Sequence, residues 1–428
     1  MQNYSNPPID QWESILKRPT VTFDDIESTV IEVFNAVNLT GDQALKNYTL
    51  QYDGVTINNL AVSSAEFNEA EALIDEGLKK AIDVAYDNIY KFHLAQQTSK
   101  VVVQTTKGVE CWQEKRPIQK IGLYIPGGSA PLFSTILMLA IPAQIAGCQE
   151  IVLCTPPNKE AKVHPAVLYA AKRCGVQQLF KVGGIQAIAA MTYGTESISK
   201  VYKIFGPGNQ FVTLAKQYAT KLGVAIDMPA GPSELLIVGD HTAHPAFVAS
   251  DLLSQAEHGP DSQVILVSTD KALLDAVESE LKLQIKELPR KEIAKKAIAN
   301  SKMIYFDSKE IAAQCIDQYG PEHYIICSED EAFYIDHIHN AGSVFIGNYT
   351  PESAGDYASG TNHTLPTNGY TKQYSGVNLD SFLKQMTFQK ITKEGIKNIG
   401  PAIELMAHEE GLQAHKNAVS LRLKSIDK

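Results

Sequence analysis

One run of the sequence places an amide and an imidazole three residues apart: Gln255 and His258 in Ser254-Gln255-Ala256-Glu257-His258-Gly259-Pro260-Asp261-Ser262. On a helix that spacing puts both side chains on one face, so they can reach one ligand. A histidine that closes a helix, with Gly259 as its left-handed terminator, accounts for the same residues without a ligand. The dyad Glu322-His323 follows Gly320-Pro321 and opens an apolar stretch. Neighbours on a strand face opposite ways, so the two share a site only if the Gly-Pro turn bends the chain there; otherwise they are a solvated strand end. Asp356 and His363 stand seven apart in one loop, and the tail carries His408, Glu409, Glu410 and His415. Zinc takes imidazole nitrogen together with carboxylate or amide oxygen, so Gln255, His258, Asp356 and a tail histidine would make an N/O set with room left for substrate. A solvated charged helix with incidental histidines explains the tail equally well.

Three further loops stand where a strand hands over to a helix: Pro126-Gly127-Gly128-Ser129, Gly183-Gly184 and Gly206-Pro207-Gly208-Asn209. Glycine there lets backbone N–H groups approach an anion at a helix N-terminus. None matches G-x-G-x-x-G, and each alone is ordinary turn punctuation. Three in one region favour a nucleotide-sized ligand. The six cysteines, Cys111, Cys148, Cys154, Cys174, Cys315 and Cys327, contain no C-x-x-C pair and are too sparse for a disulfide framework. They read as reduced thiols, and a cysteine zinc site is ruled out on spacing.

Positioning these groups requires a scaffold, and the hydrophobic pattern supplies one. Up to about residue 98 apolar residues recur at helical intervals. From Lys120 short β-type runs alternate with amphipathic helices: 121–125, 150–155, 178–182 and 200–205, then 234–238, 263–268, 303–306, 323–327 and 343–347. That alternation signals βαβ units. The expected fold is α/β, with two Rossmann-like doubly wound sheet domains and small helical N- and C-terminal extensions. The boundaries are an arm over 1–22, a larger α/β domain over 23–119 and 233–378, a Rossmann-like domain over 120–232 and a helical extension over 379–428. Residues 349–375 resist assignment and read as a functional loop.

At 428 residues the chain has room for more than one core, at ~150 residues per domain. Lys+Arg 38 against Asp+Glu 48 gives a net charge of −10, which disfavours nucleic acid or an anionic membrane as partner. No apolar leader opens the chain and no run reaches ~18 apolar residues, so the sequence is of a cytoplasmic kind.

Six segments together resemble histidinol dehydrogenase, in that family's order and approximate spacing: Ala230-Gly231-Pro232-Ser233-Glu234, Asp251 to Gly259, Gly320-Pro321-Glu322-His323, Ser353 to Tyr357, His363 to Thr367, and Glu410 to His415. The resemblance implies oxidation of L-histidinol through the aldehyde to L-histidine, with two NAD and one zinc per site. It implies zinc ligands Gln255, His258, Asp356 and His415, and the acid/base pair Glu322 and His323. Substrate contacts would be Ser233, His363 and Glu410 besides His323 and the metal ligands, and NAD contacts Tyr124, Gln186 and Asn209 in the 120–232 domain. It also implies an intertwined homodimer whose tail completes the partner's site. Phe211 departs from the tyrosine that many relatives carry there, which touches a minor NAD contact. Rival readings are a cysteine thiohemiacetal mechanism through Cys111 or Cys154, a zinc metallohydrolase with no use for NAD, and a binding protein without turnover.

Overall fold

The computed structural model describes residues 1–19, 24–127, 131–229 and 231–426. Gly128 and Ser129 of the first glycine loop and Ala230 of the first family segment lie outside the described residues. Two compact units form: Met1–Ala95 with Ile118–Ser381, and Gln96–Pro117 with Phe382–Lys428. In chain order the strands are β1 (Gln2–Ser5), β2 (Val102–Thr106), β3 (Val109–Pro117), β4 (Lys120–Tyr124), β5 (Glu150–Thr155), β6 (Gln178–Lys181), β7 (Lys203–Phe205), β8 (Ala225–Ile226), β9 (Glu234–Gly239), β10 (Gln263–Ser268), β11 (Lys302–Tyr305), β12 (His323–Cys327), β13 (Ser343–Ile346) and β14 (Leu383–Ile391).

The first unit holds both parallel sheets. One runs β6-β5-β4-β7-β8 and the other β1-β11-β10-β9-β12-β13. Both are doubly wound, as the alternation predicts. Their central strands, such as Leu235–Val238 and Val264–Val267, are buried on both faces, so they read as continuous apolar runs. In each sheet the strand order reverses once, between β4 and β7 and between β9 and β12, a switch point that leaves a crevice at the carboxyl ends of the strands.

Three expectations need correction. The N-terminal arm is not wholly helical: Gln2–Ser5 adds an edge strand to β11. The chain beyond Leu379 does not return at once to helix: β14, with Thr387, Phe388 and Ile391, pairs antiparallel with β3, and the second unit's sheet runs β14-β3-β2. Helices Lys393–Glu409 and Gln413–Ile426 follow. The stretch after β10 to about Ser301, whose charged amphipathic pattern predicts one long helix, forms two, Lys271–Gln284 and Lys291–Ala299, because Pro289 falls between them. No helix among the described residues is long and apolar enough to cross a membrane.

Candidate active site

In the second sheet the chemistry gathers between β9 and β12 at the amino ends of the strands, the end opposite that sheet's switch-point crevice. β12 pairs with β9 in the register His323 to Leu235, so Glu322 lies opposite Glu234 just outside the ladder. Freed from strand alternation, Glu322 turns its carboxylate across the gap, and the Glu234 backbone N–H donates to its Oε2 at 2.8 Å. His323 Nδ1 stands 3.1 Å from the carbonyl oxygen of the same Glu234. A carbonyl only accepts, so Nδ1 carries the proton and Nε2 keeps its lone pair. The backbone of one residue thus holds both side chains, 3.6 Å apart, and the pair shares a site. His323 Nε2 is buried with no hydrogen-bond partner and lies 3.9 Å from Asp356 Oδ1. Burial keeps His323 below the ordinary imidazole range although Asp356 opposes it. Burial also pushes the Glu322 carboxyl well above the usual range; the Glu234 N–H opposes that shift, and the charges of Glu234 and Asp356 add to it.

Gln255 and His258 come from the other side. The helix Pro245–Ala256 runs back against the parallel strands, so its C-terminal end arrives at their amino edge. Its cap is Glu257, which leaves His258 two residues past the helix and not on its face. Gly259 is not left-handed, so the terminator reading fails. His258 Nδ1 lies 3.5 Å from Ser233 Oγ. Asp356 lies close enough to raise the His258 pKa, against the stronger lowering by the surrounding protein.

Asp356 sits on a short helix, Glu352–Tyr357, inside the segment expected to be loop; Ser353 and Gly355 hide it because both are weak helix formers. That helix carries a residue the sequence reading passed over. Glu352 is four residues from Asp356, hence on the same face, and fully buried. Its carboxylate faces the Gln255 amide, accepting from the amide nitrogen once that nitrogen is turned toward it, and lies 3.7 Å from His323 Nδ1. Burial, with the charges of Asp356, Glu322 and Asp251, pushes its pKa well up. The adjacent Pro351 marks a helix start, and that was the available signal. His363 Nδ1 donates to the Asp356 carbonyl at 2.9 Å, and its Nε2 lies 3.1 Å from Thr135 Oγ1. Thr135 was also missed, since a threonine in the apolar run Phe133–Ala146 gives no local signal. Glu410 and His415 belong to the second unit, where both are exposed.

The first crevice holds the expected coenzyme residues. Tyr124 ends β4 and is buried, its phenol pushed up to about 12 by burial, and the Gly184 N–H donates to its hydroxyl at 3.1 Å. Gln186 is buried with Oε1 unpartnered, a polar atom that calls for a ligand. Asn209 caps the helix Gln210–Lys221, accepting from the Phe211 and Val212 N–H groups at 3.1 Å each. Here glycine serves packing first. A Cβ at Gly127 or Gly183 would collide with the Pro156 ring, and one at Gly206, whose φ is +129°, with the Tyr124 carbonyl. Lys216 holds this turn from beneath. Its Nζ donates to the Gly206 carbonyl at 2.8 Å and pairs with Asp227, both side chains being nearly fully buried. The Asp227 carboxylate in turn accepts from the Gly206 N–H at 2.8 Å.

Of the two candidate thiols, Cys154 is not built for nucleophilic work. Cys154 is fully buried in β5 opposite Tyr124, and burial pushes its pKa far above the ordinary range. Cys111 lies on β3 in the second unit. Cys111→Ala and Cys154→Ala are expected to keep most of the turnover. A drop of about a thousandfold in steady-state rate for either would install the thiohemiacetal mechanism instead.

A family model described as histidinol dehydrogenase matches residues 16–423. A histidinol dehydrogenase of Bacteroides thetaiotaomicron is 55% identical over 420 residues, 98% of each chain. A chloroplastic one of Arabidopsis thaliana is 53% identical over 97% of this chain and 90% of its own. The crystal structure of histidinol dehydrogenase from Elizabethkingia anophelis superimposes with a TM-score of 0.98 at 55% identity, covering 100% of this chain and 99% of that one.

Proposed function

The chain belongs to the histidinol dehydrogenase family, and on that premise we propose that it oxidises L-histidinol through the aldehyde to L-histidine with two NAD, His323 and Glu322 acting as acid/base pair. The observation that carries this reading is the buried dyad on the backbone of Glu234, with the His323 Nε2 lone pair unpartnered. In the first step Nε2 takes the carbinol proton as hydride leaves carbon. An imidazole kept neutral by burial is ready for that at neutral pH. In the second step the aldehyde must gain water, and Glu322, a carboxylate made more basic by burial, takes the proton that water gives up.

Gln255, His258 and Asp356 supply one amide oxygen, one imidazole nitrogen and one carboxylate, a donor set that suits zinc and leaves a position for His415 of a second copy. Glu352 supports the fit, since the Gln255 amide nitrogen turned to its carboxylate leaves the amide oxygen to serve as ligand. When bound, zinc would anchor the substrate's nitrogens and NAD would accept the hydride. Ser233, His363 and Glu410 of the second copy would complete the substrate pocket, and Tyr124, Gln186 and Asn209 the coenzyme pocket. We place the enzyme in the cytoplasm as a homodimer, with neither nucleic acid nor membrane as partner.

The test is appearance of reduced-nicotinamide absorbance with histidinol plus NAD. Hydrolysis without that signal would favour a metallohydrolase, and tight binding without turnover a binding protein. The coenzyme crevice has its own test. Lys216→Met leaves Asp227 buried without its cation, so unfolding free energy should fall by about 3–5 kcal/mol. The Gly206 turn loses its support, so KM for NAD should rise while KM for histidinol stays put. A change confined to the histidinol KM would remove this crevice as the coenzyme site.

A further inference from the structure

The residue whose backbone holds the dyad is itself held, and by a residue far from it in sequence. Arg18, on the N-terminal arm, meets the buried Glu234 carboxylate with two parallel hydrogen bonds, Nε to Oε1 at 2.6 Å and Nη2 to Oε2 at 2.8 Å. Nη2 also donates to the Tyr319 carbonyl at 2.9 Å and lies 3.3 Å from that of Gly320, and the guanidinium packs over the Tyr319 ring with its carbon 4.0 Å from the ring centre. Tyr319 and Gly320 end the helix that turns directly into Glu322. A single planar group therefore ties the first residue of β9 to the turn that leads into β12. Asn368 N–H adds a third hydrogen bond to Glu234 Oε1 at 2.6 Å. The arm is stitched down beside it, where Gln263 Nε2 donates to the Lys17 carbonyl at 3.1 Å and accepts the Tyr319 hydroxyl on its Oε1 at 3.0 Å.

We propose that Arg18 is a positioning residue for the acid/base pair, acting through Glu234: its fork fixes Glu234, whose backbone N–H and carbonyl aim Glu322 and His323. Arg18 touches neither of those side chains. Its effect is geometric, and a lysine cannot copy it, because an ammonium engages one point where the guanidinium engages both carboxylate oxygens and two carbonyls at once. The inference rests on the dyad reading given above.

Two variants test it. Arg18→Lys keeps the charge and loses the fork. Arg18→Met/Glu234→Gln removes both charges, so no unpaired carboxylate remains buried to unfold the chain. Each is assayed for kcat and KM with histidinol and, separately, for KM with NAD, beside circular dichroism and a thermal midpoint. In both folded variants kcat should fall on the order of ten- to a hundredfold, the scale of a misplacement of about 1 Å, while KM for NAD is unchanged. Full kcat in a folded variant would overturn the proposal, and so would unfolding of both at the assay temperature, which would make Arg18 a residue of the fold alone. His323→Ala is run in parallel. If it retains turnover, the dyad reading fails; if it is dead while the Arg18 variants run at full rate, only the positioning role fails.

Discussion

Glu322→Ala should leave the alcohol-to-aldehyde half of the reaction running while the aldehyde-to-acid half falls by about 10²- to 10⁴-fold, the range of a lost general base. The asymmetry follows from stoichiometry, since only the second half consumes water. The same substitution also strips the Glu234 N–H of its acceptor, 2.8 Å away, and that structural loss must be separated from the chemical one. Glu322→Gln does so, because its amide oxygen can still accept that hydrogen bond but cannot take a proton from water. Both variants should therefore show the same split when histidinol and histidinaldehyde are supplied separately. His323→Ala should lower both halves, since a proton moves in each. Equal losses in the two halves for Glu322→Gln would remove the water-activating role.

Two variants that each fail to complete the aldehyde-to-acid half, Glu322→Ala and His415→Ala, should regain formation of L-histidine when mixed under conditions that exchange subunits. The proposed site takes Gln255, His258, Glu322, His323 and Asp356 from one chain, and Glu410 and His415 from the other. Beyond Leu383, Ala407 and Val419 are the buried apolar side chains among the described residues, while Leu405, Met406 and Leu421 are 63%, 64% and 68% exposed. Apolar surface of that kind favours a second copy as host. In the heterodimer one site draws Glu322 from the His415 variant and His415 from the Glu322 variant, so it is intact; the other lacks both. Random exchange makes about half the dimers mixed, each with one good site, so about a quarter of wild-type activity should return. Were each chain to supply its own tail, every site would carry one lesion. A silent mixture with exchange proven by mass would then refute the shared site.

The alternation of apolar strands and amphipathic helices was legible in the sequence, because side-chain periodicity is a local property that burial enforces residue by residue. The chemical groups were legible too, since Gln255, His258, Glu322, His323 and Asp356 stand in short runs of unusual polarity. Where periodicity is weak, the local signal failed. The helix Glu352–Tyr357 was hidden by Ser353 and Gly355, and β14 by its exposed, mixed composition. What only the tertiary structure decided is how distant segments meet. The register of β9 against β12 brings Glu234 to residues 88 and 89 positions away in the chain. Helix polarity brings Gln255 onto Glu352, and Arg18 reaches Glu234 across 216 positions. None of these pairings has a sequence signature, because each is fixed by how whole elements bury their apolar faces, and the polar contacts fall where that packing leaves them.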